Sequence, residues 1–431
     1  TTTNLAGEKK EADDYKLVHN VYELQNIKNS RSTTNDDYVG NFMLANDIEA
    51  GETNPDNEKF DINGYWKDGQ GFLPIGDEYN RGAFVGKFHG AKHTINKLYI
   101  NRPDQDFVGL FGYTYGAIVK DVGMVDSAIT GKKFVGGLVG WAYYSTIVAY
   151  NKGNINAQGD YLGGLVGSAT TYSKVTGYNT GTISGQGSNV GGLVGSSENS
   201  AVTGYNTGAV IGGIYLVGGL VGVTRDSTVI GYNTGKVGTD QMFVGGLVGY
   251  DRDNSYSTSI IGYNTGDVSG NLLQGRLGGL VGAWRNASVT GFYDCNLYGI
   301  EGKRFESYGM DSIVKPEDAK NISSYADKKD WDISNIGGEG KTWRLYEDCA
   351  YPLLNKANGF EFLQPLDLSN VEKSQQVYNG EKQTMDSLAL VGDEHILSTE
   401  TASKNVGTYN VKLYSDQQGY DIKGDMKLEI T

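Results

Sequence analysis

The chain has 431 residues, of which 63 are glycine and only 6 are proline. Its net charge of −14 excludes nucleic acid as a partner, because phosphates require a basic surface, and it disfavours binding to anionic lipid. No apolar run approaches the roughly 18 residues that a membrane-spanning helix needs, so we expect no membrane insertion. Glycines interleaved with Val, Ile, Leu and Tyr, without the period of collagen, predict many short strands joined by tight turns.

The N-terminal part predicts an irregular lead into a more regular array. Residues 1–14 are polar and are predicted to be disordered. Residues 15–109 contain strand-like segments but not the later repeat, so we expect irregular coils there. Within them, residues 22–28 predict a short helix that covers the open end of the array, since an uncovered parallel edge invites aggregation.

Residues 110–299 contain a tandem repeat built around the block Gly-Leu-Val-Gly, with a Gly-Leu-Phe-Gly variant as its first copy. Its Leu recurs at spacings of 28, 27, 28, 27, 27 and 33 residues. These positions are Leu110, Leu138, Leu165, Leu193, Leu220, Leu247 and Leu280. Each repeat offers about three strand-like segments. A near-constant period lets each strand pair in register with its equivalent one coil away, so we predict an all-β, right-handed parallel β-solenoid of about 27 residues per coil.

The adjacent Leu and Val of this block pose a geometric problem. Side chains alternate between the two faces of a strand, so a straight strand would turn one of the two outward. Two solutions are open from the sequence. A β-bulge can re-aim one side chain, or a second layer of structure can cover the outer face.

A second block, Tyr-Asn-x-Gly, recurs once in each coil. Asparagine tolerates a left-handed corner and its amide can bond to the coils on either side, so these residues predict a ladder. The ladder residues are Asn151, Asn179, Asn206, Asn233 and Asn264. The preceding tyrosines predict an aromatic stack that either stabilises the array or presents rings to glycans: Tyr150, Tyr178, Tyr205, Tyr232 and Tyr263. The last, degenerate copy of the block is interpreted as Tyr293-Asp294.

The long repeat between Leu247 and Leu280 carries extra polar residues, including those at 251–259. Since they lie between the apolar blocks, we expect them on the surface, outside the stacked strands. Asp251, Asp253 and Asn254 offer oxygen ligands for a calcium ion, and a solvated loop is the alternative.

The two cysteines are Cys295 and Cys349. They either close one disulfide, which would stabilise a secreted protein, or remain two unrelated thiols. Without a Cys-x-x-Cys motif or a Cys/His cluster, zinc is not expected, and no cofactor is predicted.

The period stops after Gly299. Residues 300–360 mix polar and aromatic residues and are predicted to form the C-terminal cap of the solenoid. Residues 361–431 alternate apolar and polar residues between turn signals, which is typical of a small, separate β domain of the sandwich-like kind.

The tandem Gly-Gly-Leu-Val-Gly blocks resemble the GLUG motif of bacterial surface proteins. That motif occurs in filamentous-haemagglutinin-like exoproteins of two-partner secretion and in some streptococcal immunoglobulin A peptidases. The tail resembles an MBG domain of the YDG type at residues 377–380, 404–409, 420–422 and 428–431, with Asn379 in place of the usual Asp. The resemblance implies a secreted or cell-surface adhesin.

Catalytic signatures are absent from the sequence. There is no HExxH, GxSxG or P-loop motif, and His89 and His93 lie in a strand-like segment rather than on a helix. β-Solenoids also include polysaccharide lyases and hydrolases, which need paired carboxylates or a calcium site with a basic partner. The acidic residues of this chain are scattered instead.

We therefore predict a non-catalytic structural and adhesive segment of a secreted bacterial adhesin. The solenoid would be a stiff, monomeric spacer that presents a surface to host-cell or matrix glycans. Because the sequence begins without methionine, signal peptide or anchor, we expect it to be part of a longer chain. The alternatives are a solenoid polysaccharide lyase or hydrolase, and a non-catalytic region of a surface peptidase.

Overall fold

The computed structural model describes residues 15–30, 32, 37–76, 82–239, 242–252, 257–270, 276–299, 314–369, 374–377, 379, 395–398 and 405–431. The predicted disordered lead, residues 1–14, lies outside them. The chain divides into two compact units between Ser312 and Ile313. In the described part, α-helix is confined to Val21–Gln25 and nearly all other regular structure is β, so the prediction of an all-β protein is confirmed.

One coil of the first unit contains four short strands. In the coil at residues 190–211 they are Val190–Gly191, Val194–Glu198, Ala201–Asn206 and Val210–Ile211. Each pairs in parallel, without a register shift, with the equivalent strand of the next coil. The sequence predicts about three strands per coil. The difference arises because two of the four strands contain only two residues each, which is too short to be distinguished from a turn in the sequence.

Equivalent strands of successive coils form four parallel sheets, numbered in the order in which a coil contributes to them. The described strands of sheet 1 are Val135–Gly136, Leu162–Gly163, Val190–Gly191, Tyr215–Gly218, Met242–Gly245 and Leu277–Gly278. Those of sheet 2 are Phe111–Tyr115, Val139–Tyr143, Val166–Thr170, Val194–Glu198, Val221–Arg225, Val248–Asp251 and Val281–Ala283. Those of sheet 3 are Lys16–Val18, Asn41–Leu44, Ile48–Glu49, Lys87–His89, Thr94–Asn96, Ile118–Val125, Thr146–Asn151, Lys174–Asn179, Ala201–Asn206, Thr228–Asn233, Ser259–Asn264 and Ser288–Tyr293. Those of sheet 4 are Tyr99–Asn101, Ala128–Gly131, Asn154–Ala157, Ile183–Gly185, Val210–Ile211, Val237–Gly238, Val268–Gly270 and Leu297–Gly299.

The first unit is therefore a parallel β-solenoid, as the repeat predicts. Its core lies inside the coils, where Val190, Leu193, Val194, Val202 and Val210 of one coil are fully buried. Equivalent residues of the neighbouring coils join them in one continuous cluster. Burying such a side chain contributes roughly 1.5–3 kcal/mol. A lone coil would expose these residues on both sides, so the stack stabilises every coil within it.

The corner between sheets 1 and 2 explains how both apolar residues of Gly-Leu-Val-Gly reach the core. One strand ends at Gly191 and the next begins at Val194, so Leu193 lies in the bend between them. The backbone N–H groups of Leu193 and Val194 both donate to the carbonyl oxygen of Leu220, at 2.9 and 3.0 Å. The chain turns at this bend, so Leu193 and Val194 do not follow one straight strand, and both side chains lie in the core. The sequence leaves open a bulge or a covering layer; the structure instead turns both side chains inward at a bend between two strands, and the coils stay in register on either side of it.

The lead at residues 15–109 adds irregular coils to sheets 3 and 4. The short helix predicted near its start is present at Val21–Gln25. Asn20 caps this helix, because its Oδ1 accepts a hydrogen bond from the N–H of Glu23 at 2.9 Å. Leu24 of the helix is fully buried in the solenoid core.

The second unit consists of short strands in several small sheets. Its described strands are Ile333–Ser334, Trp343–Arg344, Leu353–Leu354, Lys356–Ala357, Phe360–Glu361, Gln364–Asp367, Ser374–Gln376, Ile396–Ser398, Gly407–Val411, Leu413–Ser415, Tyr420–Lys423 and Met426–Ile430. Two short 3-10 helices, Pro316–Asp318 and Ile322–Tyr325, precede these strands.

The boundary of this unit differs from the one predicted at residue 360. Tyr346 and Leu353, which the sequence assigns to a solenoid cap, share one apolar core with Leu363 and Val411 of the tail. The predicted division into a cap at 300–360 and a separate tail is therefore corrected: residues 314–360 and the tail belong to one compact unit. The physical reason is that a domain of roughly 70 residues has a thin core, which the aromatic residues before 360 complete.

Candidate functional site

The five asparagines of the Tyr-Asn blocks lie in a continuous ladder inside the solenoid. From Asn151 to Asn264, each Nδ2 donates to the Oδ1 of the asparagine in the next coil at 2.7 Å. The same Nδ2 also donates to the carbonyl oxygen of the glycine two residues later, at 2.7–2.8 Å. All five side chains are fully buried, so these bonds replace those to water. Their backbone is not the left-handed corner expected from the sequence, since each asparagine is the last residue of a strand of sheet 3.

At both ends of the ladder, the equivalent position in the next coil is not an asparagine. The in-register partner of Asn151 in the preceding coil is Met124, and that of Asn264 in the following coil is Tyr293. The Nδ2 of Asn264 has no further asparagine to reach and donates to the Sγ of Cys295 at 3.2 Å. The thiol therefore ends the row of amides.

The last, degenerate copy of the block is displaced by one residue from its predicted position. Tyr263 and Asn264 pair in register with Phe292 and Tyr293, not with Tyr293 and Asp294. The ring of Phe292 stacks on that of Tyr263 at 4.9 Å, which explains the choice of register. Gly262 pairs with Gly291 in the same register, so the whole strand of this copy is aligned with the strands before it.

The second glycine of Gly-Gly-Leu-Val-Gly packs against the ladder. A Cβ on Gly192 would lie 2.6 Å from the Cγ of Asn206, and one on Gly164 would lie 2.8 Å from the Cγ of Asn179. Only glycine leaves room for the amide at this distance. The two repeated blocks therefore contact each other inside the coil, which is why they recur together.

The tyrosines that precede the asparagines form a stack of nearly parallel rings. From Tyr150 to Tyr263 the ring centroids are 4.8–5.0 Å apart and the interplanar angles are 1–7°. Each inner ring has both faces covered by its neighbours, and Tyr205 and Tyr232 are only 1% exposed. A sugar packs on the open face of a ring, so the glycan-facing interpretation of these five tyrosines is corrected. Their geometry is that of a stabilising stack.

The first ring of the stack is covered as well. The outer face of Tyr150 lies against Gly123, where any side chain would overlap the ring. The Nζ of Lys152 lies 5.5 Å from the centroid of the same ring. Burial raises the pKa of Tyr178, the next phenol, above its ordinary value, so this hydroxyl stays neutral.

A second polar column lies at the corner between sheets 2 and 3, and sequence analysis did not find it. Ser145, Ser173, Ser200 and Ser227 are buried there at equivalent positions of successive coils. The hydroxyl oxygen of Ser173 accepts from the N–H of Ser145 at 3.0 Å, and that of Ser227 accepts from the N–H of Ser200 at 3.3 Å. The signal in the sequence is a serine directly before the first residue of four successive strands of sheet 3.

The calcium candidate is not assembled by the described residues. Asp251 ends the strand Val248–Asp251, its side chain is fully buried, and Thr224 Oγ1 donates to its Oδ1 at 3.2 Å. The expectation of a surface position for Asp251 is therefore wrong, because this residue takes the in-register place of Thr224 inside the next coil. Asp253 and Asn254 lie outside the described residues. Among the residues described, no three His, Cys, Asp or Glu side chains gather closely enough to hold a metal ion.

Both cysteines are free thiols, so the structure does not contain the disulfide that the sequence left open. Cys295 packs against the solenoid core, whereas Cys349 packs against the core of the second unit. Burial raises the pKa of Cys295 to about 12, so its thiol stays protonated and unreactive.

The histidines form separate pairs with single carboxylates. The pairs are His19 with Glu23, His89 with Asp121, His93 with Asp47, and His395 with Asp416, at 3.0–3.3 Å. His89 and His93, which are close in sequence, therefore face different partners and do not form a common centre.

The outward side of sheet 1 carries a column of residues that sequence analysis did not single out. In five successive coils the residue before the Val-Gly or Leu-Gly pair has a left-handed backbone, with φ of 54–70° at Phe134, Tyr161, Asn189, Leu216 and Phe243. A large side chain in this conformation costs roughly 1–2 kcal/mol. Asparagine or glycine would be less strained, so the large residues are retained at a cost to stability.

No protein-family model matches the chain, so its resemblance to GLUG repeats and to an MBG domain stays a prediction. A stretch of 156 residues, 35% of the chain, is 35% identical to Halomucin of Haloquadratum walsbyi. That stretch is 2% of halomucin, so the chain spans only a small part of this relative. A solved structure of a protein provisionally assigned as an immunoglobulin A1 protease from Bacteroides ovatus is similar over 69% of this chain and 80% of that one. The identity is 15% and the TM-score is 0.42.

The described helical segments are too short to cross a membrane.

Proposed function

We propose that the chain is a non-catalytic structural and adhesive segment of a bacterial surface adhesin. The main support for this proposal is that the repeated Asn and Tyr side chains contact their equivalents in adjacent coils and are not available to a ligand. Asn206 bonds to the coils on both sides, and Tyr205 lies between two other rings. Outward positions such as Tyr161 and Phe243, in contrast, differ from coil to coil. The repeat supports length and rigidity, and the variable outer face supports recognition.

The solenoid has the contacts of a stiff spacer. Strands run across the long axis, so the hydrogen bonds of all four sheets run along it. The asparagine ladder and the tyrosine stack run in the same direction. Bending the array would break hydrogen bonds in several sheets and in the asparagine ladder at the same time, and would separate stacked rings. The array therefore resists bending.

Export and a surface location are part of the same proposal. A net charge of −14 favours solubility and disfavours non-specific binding to nucleic acid or anionic lipid. The stretch similar to halomucin is a very small part of that protein, which supports an array that lies within a longer chain. The resemblance to GLUG repeats supports the cell surface.

The proposal is tested by measuring binding and turnover on the same polysaccharides. The purified chain is applied to a glycan array, and release of reducing sugar is followed in parallel. We expect binding without release. Time-dependent release would instead support the solenoid lyase or hydrolase. Absence of glycan binding would overturn the adhesive part alone, because stiffness is measured separately by pulling single molecules.

A further inference from the structure

A groove runs along the outer side of the solenoid, across several coils between residues 160 and 252. It has a volume of about 480 Å³, and its apolar wall includes Tyr161, Tyr215, Phe243 and Tyr250 beside Leu216 and Met242. One carboxylate, that of Asp160, also lines the groove and pairs with Lys133 at 4.0 Å. Tyr215 is 42% exposed and the other three rings are partly exposed, unlike the rings of the internal stack. The groove therefore presents aromatic surface to solvent in a concave site.

The backbone of this wall is strained. Tyr161 and Phe243 have φ of 70° and 58°, while Asn189, in the same column, has φ of 62°. Asparagine adopts this conformation readily, whereas tyrosine and phenylalanine do not. Tyr161 stacks on Phe134 at 4.5 Å and Phe243 on Tyr250 at 5.5 Å, so stacking offsets part of the strain while one face of each ring remains for a ligand. Strained residues of this kind cluster at ligand sites.

Asn189 supplies a second, independent indication of a ligand. This residue lines the groove, is 4% exposed, and its Oδ1 has no hydrogen-bond donor in the part of the chain that the structure describes. A buried acceptor without a donor is rare, because removing it from water is costly. Rotation of this side chain would turn its Oδ1 toward the groove, where a ligand hydroxyl would supply the donor, and Ser188 lines the same groove.

One end of the groove is positively charged. Arg225, Arg252 and Arg285 surround Tyr250 and line an adjoining cavity of about 260 Å³. The Nε of Arg285 donates to the hydroxyl of Tyr250 at 3.0 Å. Arg225 is paired with Glu198 at 3.2 Å and with Asp226 at 3.5 Å, so Arg252 and Arg285 supply the charge that a ligand can use. Three guanidinium groups converge here in a chain whose net charge is −14. Such groups bind carboxylates and sulfates through paired hydrogen bonds.

The backbone in the groove is already used by the solenoid. The N–H of Tyr161 donates to the carbonyl oxygen of Ser188 at 3.0 Å, and that of Asn189 donates to Tyr215 at 3.1 Å. A peptide that binds by adding a strand needs free backbone groups, so this mode is disfavoured. Recognition depends on side chains instead: aromatic rings, one amide and guanidinium groups. Sugar rings that carry anionic groups match this set.

We propose that the groove binds an acidic polysaccharide. Its sugar rings pack on Tyr161, Tyr215 and Phe243, and its carboxylate or sulfate groups pair with Arg252 and Arg285. This inference rests on the adhesive part of the proposed function and assigns it a site and a ligand class. The internal tyrosine stack takes no part in binding.

The test is calorimetric titration of the whole chain with three oligosaccharides: polygalacturonate fragments for carboxylate, heparin fragments for sulfate, and cello-oligosaccharides as the neutral series. We expect at least one acidic series to bind about tenfold or more tightly than the neutral one, with an affinity that falls as salt rises. Phe243→Asn and Arg252→Ala should each weaken that binding about tenfold, which corresponds to the loss of one good contact.

Matched controls separate binding from folding. Phe243→Asn should leave the melting temperature unchanged or higher, since Asn189 shows that asparagine fits this column. Tyr172→Asn alters another exposed tyrosine (73% exposed, φ of 58°) at a different corner, and it should not change the affinity.

Equal affinity for neutral and acidic sugars, or acidic binding that both groove variants retain, would overturn the inference and leave the proposed function standing. A chain that binds no glycan at all would overturn both the groove and the adhesive part of the proposed function. The spacer role would still be judged by its own force measurement.

Discussion

The solenoid and the second unit satisfy buried polar groups in opposite ways. In the solenoid, Asn206 bonds to Asn179 and Asn233, which are identical residues in the adjacent coils. In the second unit, Arg344 is paired with Asp421 at 3.0 Å, and each side chain is only 7% exposed. One region uses a row of equal, neutral amides. The other uses a single pair of unlike charges that lie far apart in sequence.

The difference indicates how each region tolerates damage. A row of equal contacts distributes stabilisation along the array, so the loss of one rung affects mainly the adjacent coils. A buried ion pair concentrates it, because removal of one partner leaves the other charge buried without compensation. Four experiments test this contrast, from complete unfolding down to the reactivity of one thiol.

The largest effect is expected from cutting the second unit at residue 360. A fragment of residues 361–431 lacks Arg344, Tyr346 and Leu353, so we expect it to be unfolded. The fragment 313–431 retains the whole core and should melt cooperatively, with dispersed amide signals. A folded spectrum for the shorter fragment would restore the boundary that the sequence predicts.

Arg344→Ala should destabilise the second unit by about 3–5 kcal/mol, because Asp421 would remain buried and charged. The carboxylate of Asp421 also accepts hydrogen bonds from the N–H of Gly338 and from Nδ2 of Asn355. These neutral donors do not compensate the negative charge of the carboxylate. Denaturant unfolding of the fragment 313–431 measures the change.

The matched control for this variant is Lys423→Ala. Lys423 pairs with Asp367 at 2.9 Å, but both side chains are 53% exposed. An exposed pair of this kind contributes at most about 1 kcal/mol. Similar losses in the two variants would show that burial does not govern the strength of these pairs.

Asn206→Ala should destabilise the solenoid by about 1–3 kcal/mol, because buried groups in the coils on either side lose hydrogen bonds. Asn254→Ala, in the polar insertion outside the described residues, should change stability by no more than about 0.5 kcal/mol. Calorimetry on the whole chain compares the two. Equal, small shifts would mean that the ladder does not stabilise the array.

The smallest effect concerns Cys295, whose thiol ends the asparagine ladder. Its reactivity can be measured without a change that destabilises the solenoid. In a Cys349→Ser background at pH 8, alkylation of the native protein should be about a hundredfold or more slower than in denaturant, because the raised pKa keeps the thiol protonated. Fast native alkylation would place this thiol in contact with solvent. If the wild-type protein contains no free thiol, Cys295 and Cys349 form the disulfide that the sequence left open.

The sequence predicts the stacked architecture well because its repeat is periodic. A spacing of about 27 residues brings Asn179 next to Asn206 and Tyr178 next to Tyr205 in any in-register array. These contacts join identical residues, so self-comparison of the sequence is sufficient to find them. The short helix predicted at residues 22–28 is found at Val21–Gln25 and continues as a 3-10 helix to Asn29, because its sequence pattern is local.

Contacts between unlike residues were decided only by the tertiary structure. The pairing of Gly192 with Asn206, the burial of Asp251 and the boundary before Ile313 all depend on where the chain turns. No spacing in the sequence reports those turns. The same holds for the groove, where the arginines at 225, 252 and 285 converge at one end although each belongs to a different coil.

The sequence by itself therefore determined the fold class, the period and the rows of asparagine and tyrosine. It did not determine which rings are open to a ligand. Tyr205 and Tyr161 are the same residue type in the same array, yet one is sealed between two rings and the other lines a groove. The physical reason is that exposure depends on which neighbours cover a side chain, and only the folded packing of non-equivalent residues decides that.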